Sequence, residues 1–338
     1  MTETMSAEMQ AVMARIAALR AGQPDRYGLP FAESRLQLLR ERRWWLEDGP
    51  AMARVSDRFI TAGTRTVRLR CYQPPAPDPD RAGPIVYLHG GGWCVGSVDT
   101  HDAVIRHLAR ACRRAAIGID YALAPEAPFP AALEDVDAAL EHLAAEGTLA
   151  PDWVLAGDSA GAHLALLATL AARERPPAAT GGWRLPSALL LFYGVYFPLR
   201  PTSSLQRFGG GDYGLSLAAL QRYQSAFLGG LTPEQAPGAF VARERLQQAP
   251  ASGPEHGSGR TSLPPLPPAW LAAAGLDPLL DDSIELARAL ADAGSHHQLR
   301  VYPAVIHGFL SYTRMLGTAR AAFEDAGAFL RDCSSPAR

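Results

Sequence analysis

Residues 153–163 read WVLAGDSAGAH. The first five residues form a short apolar run typical of a buried strand, and residues 160–175 continue as a strongly apolar helix. Between them lies G-x-S-x-G, with Ser159 at its centre. A serine on a sharp strand-to-helix turn needs a strained backbone, and side chains two residues before or after it would clash. The stretch therefore predicts a strand–turn–helix unit that exposes the Ser159 hydroxyl above a sheet and makes it a candidate nucleophile.

Strand-like and helix-like segments alternate on both sides of this unit. The predicted strands are 67–74, 84–89, 115–121, 153–157, 188–194, 270–275 and 297–303. The predicted helices are 103–112, 130–147, 160–175, 215–230, 281–294 and 309–331. This alternation predicts an α/β fold with a mostly parallel central sheet flanked by helices, in which the chemistry lies at the carboxyl ends of the strands.

The pattern also divides the chain into segments. Residues 1–48 read as amphipathic helices, and 49–195 as the first part of a catalytic core. Residues 196–250 lose the alternation and are interpreted as a cap insertion. The core resumes over 251–332, where 253–268 is the strongest loop candidate, and 333–338 form a tail.

Three consecutive glycines follow the strand at 84–88, in the stretch HGGGW, 89–93. Such a run suits a phosphate cradle, an oxyanion hole or a plain turn. The chain has no lysine and no G-x-x-x-x-G-K-[ST] motif, which argues against a phosphate cradle. With Ser159 as the nucleophile, an oxyanion hole is favoured, and its expected donors are the N–H groups of Gly91, Gly92 and Ala160.

A serine nucleophile requires a base. Of nine histidines, His307 follows the strand 297–303 and precedes the last predicted helix, which places it at the same sheet edge as Ser159. His163 is expected to be a packing or hydrogen-bonding residue, and His101 has no special setting. Asp277 follows a strand end and is the expected partner of the imidazole. The neighbouring Asp281 and Asp282 are interpreted as helix caps.

Composition bounds the remaining possibilities. The chain has 338 residues, 48% of them hydrophobic, and a net charge of −2, so we expect neither nucleic acid nor an anionic membrane as a partner. Its four cysteines are scattered and lack metal-ligand spacing, and the N-terminus lacks the features of a signal peptide. The sequence predicts a cytoplasmic protein without a zinc site.

With these residues in place, the chain from about residue 60 to 330 resembles the hormone-sensitive lipase family of esterases, also called bacterial family IV. The resemblance rests on HGGGW, on DYALAPEAPFPAALED at 120–135, on GDSAG, on DPLLDD at 277–282 and on HGF at 307–309. It implies an α/β-hydrolase core and a helical cap built from the N-terminal helices and the segment near 196–250. It also implies hydrolysis of short- to medium-chain carboxylic esters without a metal or a cofactor, and a homodimer is one expected assembly.

Substrate identity is less constrained. An amidase, a lactonase or an acyltransferase would use the same triad, and a non-catalytic small-molecule binder on this fold is a remote alternative. The candidate substrate-binding residues are Trp93, Asp158, Val195, Tyr196, Tyr213, Tyr223 and Phe227. Most are apolar or aromatic. An apolar pocket with few charges would suit a neutral ester, while packing in the core is the more expected role of any single one of them.

Overall fold

A computed structural model describes residues 4–175, 183–247 and 263–333. Most of the predicted loop at 253–268 and the tail after Cys333 lie outside these ranges.

The described chain alternates strands and helices along most of its length. The strands are β1 (Arg54–Ala62), β2 (Arg65–Gln73), β3 (Ile85–Leu88), β4 (Ala116–Asp120), β5 (Val154–Asp158), β6 (Ala188–Phe192), β7 (Ala269–Leu276) and β8 (His297–Ile306). The helices are α1 (Ala7–Arg20), α2 (Phe31–Leu46), α3 (Asp102–Cys112), α4 (Ala131–Ala145), α5 (Ala160–Glu174), α6 (Ser203–Phe208), α7 (Leu217–Phe227), α8 (Arg243–Gln247), α9 (Leu280–Asp292) and α10 (Gly317–Cys333). Within the described ranges, no helix is long and apolar enough to cross a membrane.

The eight strands form one sheet in the order β1-β2-β4-β3-β5-β6-β7-β8. The β1–β2 and β2–β4 pairs are antiparallel, and the remaining pairs, from β4–β3 to β7–β8, are parallel. Strands β3, β5 and β6 are buried along their whole length, as expected for a sheet covered by helices on both faces. The predicted α/β fold with a mostly parallel sheet is confirmed.

The last helix begins later than predicted, at Gly317 instead of residue 309. Gly308 has a left-handed backbone with φ of 73°, so the chain turns sharply after His307. A short 3-10 helix, Phe309–Tyr312, follows this turn. The carboxylate of Glu8, from α1, accepts the N–H of Gly317 at 2.8 Å and so satisfies a free donor at the start of α10. A partner more than 300 residues away cannot be recognised from the local sequence.

The N-terminal helices are tied to the segment that carries α7. The guanidinium of Arg222 donates to the carbonyl oxygens of Tyr27 and Leu29, and the neighbouring Tyr223 packs edge-on against Tyr27. From α2, Arg35 donates to the carbonyl oxygen of Cys94 at 2.8 Å, just beyond the glycine run. These contacts hold the helical segments against the loops that follow the parallel strands.

Candidate active site

Ser159 occupies the turn between β5 and α5. Its backbone has φ of 52° and ψ of −119°, a strained conformation for any residue other than glycine. The helix passes so close to β3 that a Cβ at Gly161 would lie 2.0 Å from the carbonyl oxygen of Leu88. The strain and the close approach are those predicted from G-x-S-x-G, and together they place the hydroxyl at the start of α5, above the sheet.

Two other strand ends bring an imidazole and a carboxylate to this hydroxyl. His307 follows β8, and its Nε2 lies 2.9 Å from Ser159 Oγ. Asp277 follows β7, and its Oδ2 lies 2.7 Å from His307 Nδ1. Asp277 is 1% exposed, and its second oxygen accepts the N–H of Leu279 at 2.8 Å. The structure therefore joins Ser159, His307 and Asp277 in one hydrogen-bonded chain.

The N–H groups of Gly91, Gly92 and Ala160 donate to no acceptor among the described residues. Ala160 is the first residue of α5, where a helix leaves its N–H groups free. Gly92 has φ of 58°, and a Cβ there would lie 2.4 Å from the ring of Tyr223. Gly91, Gly92 and Ser159 all border the same cavity. Three free donors thus lie at the edge of the sheet that carries the serine.

Asp158, beside the serine, holds the glycine run in place. Its Oδ1 accepts the hydroxyl of Tyr87 at 2.7 Å and the N–H of Gly90 at 2.8 Å, and it lies 3.5 Å from His101 Nε2. Burial alone would raise the pKa of this carboxyl, but His101, Tyr87 and the Gly90 N–H lower it to about 2. We therefore assign Asp158 a positioning role. His101, for which the sequence suggested no special setting, belongs to this network.

An aromatic cluster lies behind the glycine run. The ring of Trp93 stacks on Phe227 with centroids 4.3 Å apart, and its Nε1–H donates to Nδ1 of His163 at 3.2 Å. Phe240 packs against His163 at 5.4 Å. The cluster joins the glycine loop, α5 and the segment after β6. His163 is a packing and hydrogen-bonding residue here, as its position in the sequence suggested.

The cavity above Ser159 leaves about 130 Å³ of free space. Four of the predicted residues border this cavity: Trp93, Asp158, Val195 and Tyr223.

The cavity is not poor in charge, however, because three arginines also border it: Arg20, Arg26 and Arg42. The expectation of a pocket with few charges is wrong. The reason is that α1, α2 and the loop between them also line the cavity, and none of the sequence motifs indicates this.

Three predicted pocket residues lie elsewhere. Tyr196 is fully buried beside α9, where Asp282 accepts its N–H at 2.9 Å. Tyr213 packs edge-on against Phe208, with centroids 5.1 Å apart. Phe227 is hidden behind Trp93. All three rings pack against other side chains instead of lining the cavity, because a large aromatic ring buries more surface in packed contacts than in a solvent-filled cavity.

Asp281 and Asp282 do not cap the helix in which they lie. Asp281 accepts the N–H of Ser204, at the start of α6, at 2.9 Å. Asp282 accepts the N–H groups of Tyr196 and Phe197 and pairs with Arg200 at 3.1 Å. The interpretation as helix caps holds for Asp281, which satisfies a free N–H in the first turn of α6, and is wrong for Asp282. Both carboxylates bind the segment after β6, and neither contacts His307.

No three His, Cys, Asp or Glu side chains in the described ranges are grouped so that they could hold a metal ion.

A family model for the alpha/beta hydrolase fold matches residues 85–311, and the chain belongs to this family. Ester hydrolase EH1AB1 from the metagenome of Lake Arreo, solved with a derivative of bipyridine phosphonate, is 30% identical, with a TM-score of 0.82 and coverage of 97% of this chain and 98% of that one. A hyperthermophilic esterase from the archaeon Pyrobaculum calidifontis is 27% identical, with a TM-score of 0.81 and the same coverage.

An esterase from the bacterial hormone-sensitive lipase family is 27% identical, with a TM-score of 0.78 and coverage of 98% of this chain and 99% of that one. The predicted membership in the hormone-sensitive lipase group is therefore confirmed. So is the predicted enzyme class, a carboxylic-ester hydrolase.

Two buried histidines, His89 and His163, are expected to make the free energy of unfolding depend on pH. Burial lowers the pKa of His163 to about 3, and burial together with His101 lowers that of His89 to about 4. Below about pH 6.5 the unfolded chain binds protons that the folded chain does not, so the free energy of unfolding falls as pH falls from 6.5 toward 4. Each histidine contributes up to about 1.4 kcal/mol per pH unit.

Denaturant unfolding at a series of pH values measures this slope. His163→Gln keeps an acceptor for Trp93 but does not titrate. Between pH 6.5 and 4, its free energy of unfolding is therefore expected to change less per pH unit, by up to about 1.4 kcal/mol. A slope equal to that of the unaltered chain would contradict the assignment.

Gly92→Ala is expected to lower kcat by about 100-fold or more, because the new Cβ meets Tyr223 and displaces an N–H donor. Gly63→Ala is the matched control, since Gly63 has the same φ of 58° but open space around its Cβ. Steady-state rates on one ester measure both variants. Equal losses would mean that backbone strain alone, and not the donor position, accounts for the effect.

Proposed function

We propose that this chain hydrolyses short- to medium-chain carboxylic esters through an acyl-enzyme on Ser159. The observation that supports this most strongly is the pair of hydrogen bonds, 2.7 and 2.9 Å long, that links Asp277, His307 and Ser159. They lie next to three N–H groups that have no acceptor within the described ranges. The similarity to solved esterases supports the same bond type.

Acylation begins at the serine hydroxyl. Because Asp277 accepts from His307 Nδ1, the proton of the neutral ring lies on Nδ1 and Nε2 is left free to act as the base. His307 takes the proton of Ser159 as Oγ attacks the ester carbonyl, and Asp277 stabilises the imidazolium. The negative charge on the carbonyl oxygen is stabilised by the N–H groups of Gly91, Gly92 and Ala160.

Collapse of this intermediate breaks the ester C–O bond, and His307 gives its proton to the departing alcohol. Water then attacks the acyl-enzyme, with His307 again acting as base. The second tetrahedral intermediate collapses to release the carboxylic acid, and the proton returns to Ser159. The reaction consumes one ester and one water and leaves the enzyme unchanged.

Asp277→Asn is expected to lower kcat by about 10³- to 10⁴-fold, because the amide neither favours the correct tautomer nor stabilises the imidazolium. Asp281→Asn is the matched control, since Asp281 lies four residues away and binds Ser204 instead of His307. Kinetics on p-nitrophenyl butyrate and circular dichroism spectra measure the comparison. Full activity in Asp277→Asn would contradict the proposed triad.

The small cavity predicts the preferred acyl length. Its free space of about 130 Å³ holds roughly four waters at about 30 Å³ each, which suits a short acyl chain. In a series of p-nitrophenyl esters from acetate to palmitate, kcat/KM is expected to peak at the short end and to fall steeply for long chains. A maximum at palmitate would contradict the proposed substrate range.

A further inference from the structure

Three arginines from the N-terminal part of the chain border the cavity that holds Ser159 and His307. Arg20 lies at the end of α1, Arg26 in the loop that follows and Arg42 on α2. None of them takes part in the triad or in the positioning of the glycine run. Placing a cation in a partly enclosed site costs free energy unless an anion lies nearby. What these arginines can bind therefore depends on which anionic side chains already pair with them.

One carboxylate serves two of these arginines. Glu41 accepts from Nε of Arg20 at 3.0 Å, and the same oxygen lies 3.4 Å from Nε of Arg26. Its other oxygen accepts from Gln37 at 3.2 Å. Asp158, the carboxylate on the cavity wall, is already held by Tyr87 and Gly90. The arginine end of the cavity therefore carries more positive than negative charge.

Arg42 has no hydrogen bond and no ion pair with any residue in the part of the chain that the structure describes. Its guanidinium carbon lies 5.4 Å from the ring centre of Tyr312, another cavity residue. Burial raises the pKa of Tyr193, whose ring packs 5.0 Å from that of His307, and Arg42 is the cation that opposes this rise. The charge of Arg42 thus acts close to the reacting groups.

Arg26 is also incompletely satisfied. Its side chain is 13% exposed, and Nη2 donates to the hydroxyl of Tyr27 at 2.8 Å. Its Nε is buried and makes no hydrogen bond within the described ranges, and Glu41, with which it forms an ion pair at 3.4 Å, is shared with Arg20. A buried donor without an acceptor costs free energy that a bound anion would recover.

We propose that this cavity selects esters whose acyl part ends in a carboxylate, such as the half-esters of short dicarboxylic acids, with Arg42 as the main recognition residue and Arg26 beside it. The inference rests on the proposed ester hydrolysis at Ser159 and adds its substrate class. A guanidinium matches a carboxylate with two parallel hydrogen bonds, which gives orientation as well as attraction. The small free volume fits a short chain between the two carbonyl groups.

Three substrates with the same methyl ester test the proposal. Monomethyl glutarate carries the carboxylate, dimethyl glutarate masks it, and the methyl ester of isoheptanoic acid replaces it with an isopropyl group of similar shape. The quantity measured is the ratio of kcat/KM for monomethyl glutarate to kcat/KM for each neutral ester, with acid release followed by pH-stat. We expect a ratio of about ten or more for the unaltered chain.

Arg42→Gln is expected to lower this ratio by roughly 10- to 100-fold, mainly through KM. Arg40→Gln is the matched control, because Arg40 lies on the same helix, is exposed and changes the net charge equally. Arg42→Lys, which keeps the charge but loses the paired hydrogen bonds, is expected to retain part of the preference. It also replaces Arg42→Gln if the latter does not fold.

A ratio near or below one in the unaltered chain would overturn the proposal while leaving ester hydrolysis intact, since the neutral esters would still be cleaved. A high ratio that survives in Arg42→Gln, or that falls equally in Arg40→Gln, would also overturn it. Failure of the unaltered chain to cleave any of the three esters would instead count against the proposed function itself.

Discussion

The architecture of the site depends on the strained backbone of one residue. Ser159 is held at φ of 52° because β5 must end and α5 must begin within a single turn. That turn is possible only where α5 can approach the end of β3, and a side chain at position 161 would collide with the carbonyl oxygen of Leu88. The surrounding buried strands supply the stability that offsets this strain. As a result the hydroxyl is fixed, and the first N–H of α5, beside it, has no acceptor in the part of the chain that the structure describes.

Asp158 couples this turn to the glycine run. It belongs to β5, yet its carboxylate binds the hydroxyl of Tyr87 on β3 and the N–H of Gly90 just beyond β3. Two adjacent strand ends are thereby locked to each other through one buried, ionised group. A glycine run free of such a link would sample many conformations, and donors that must move into place stabilise developing charge less well. The buried carboxylate therefore contributes preorganisation without touching the reacting atoms.

The sequence predicted the parts of the site that follow from local backbone requirements and from the positions of the strand ends. Ser159, Asp277 and His307 each follow a parallel strand, so the edge at which they meet follows from topology. Contacts across the fold were not predictable in this way. His101, which precedes α3, acquires its role from Asp158 at the end of β5, and Asp281 and Asp282 bind residues of the segment after β6. Arg20, Arg26 and Arg42 look like surface residues of the N-terminal segment until α1, α2 and the loop between them are folded over the sheet edge.

The most direct test of the account is to identify the residue that becomes covalently modified. The enzyme would be treated with a short alkyl phosphonate p-nitrophenyl ester, and the intact chain and its peptides would be analysed by mass spectrometry. The account predicts one phosphonyl group per chain, located on Ser159, with loss of activity in proportion to labelling. Labelling of a different residue such as Ser311, or full hydrolytic activity after complete labelling, would contradict it.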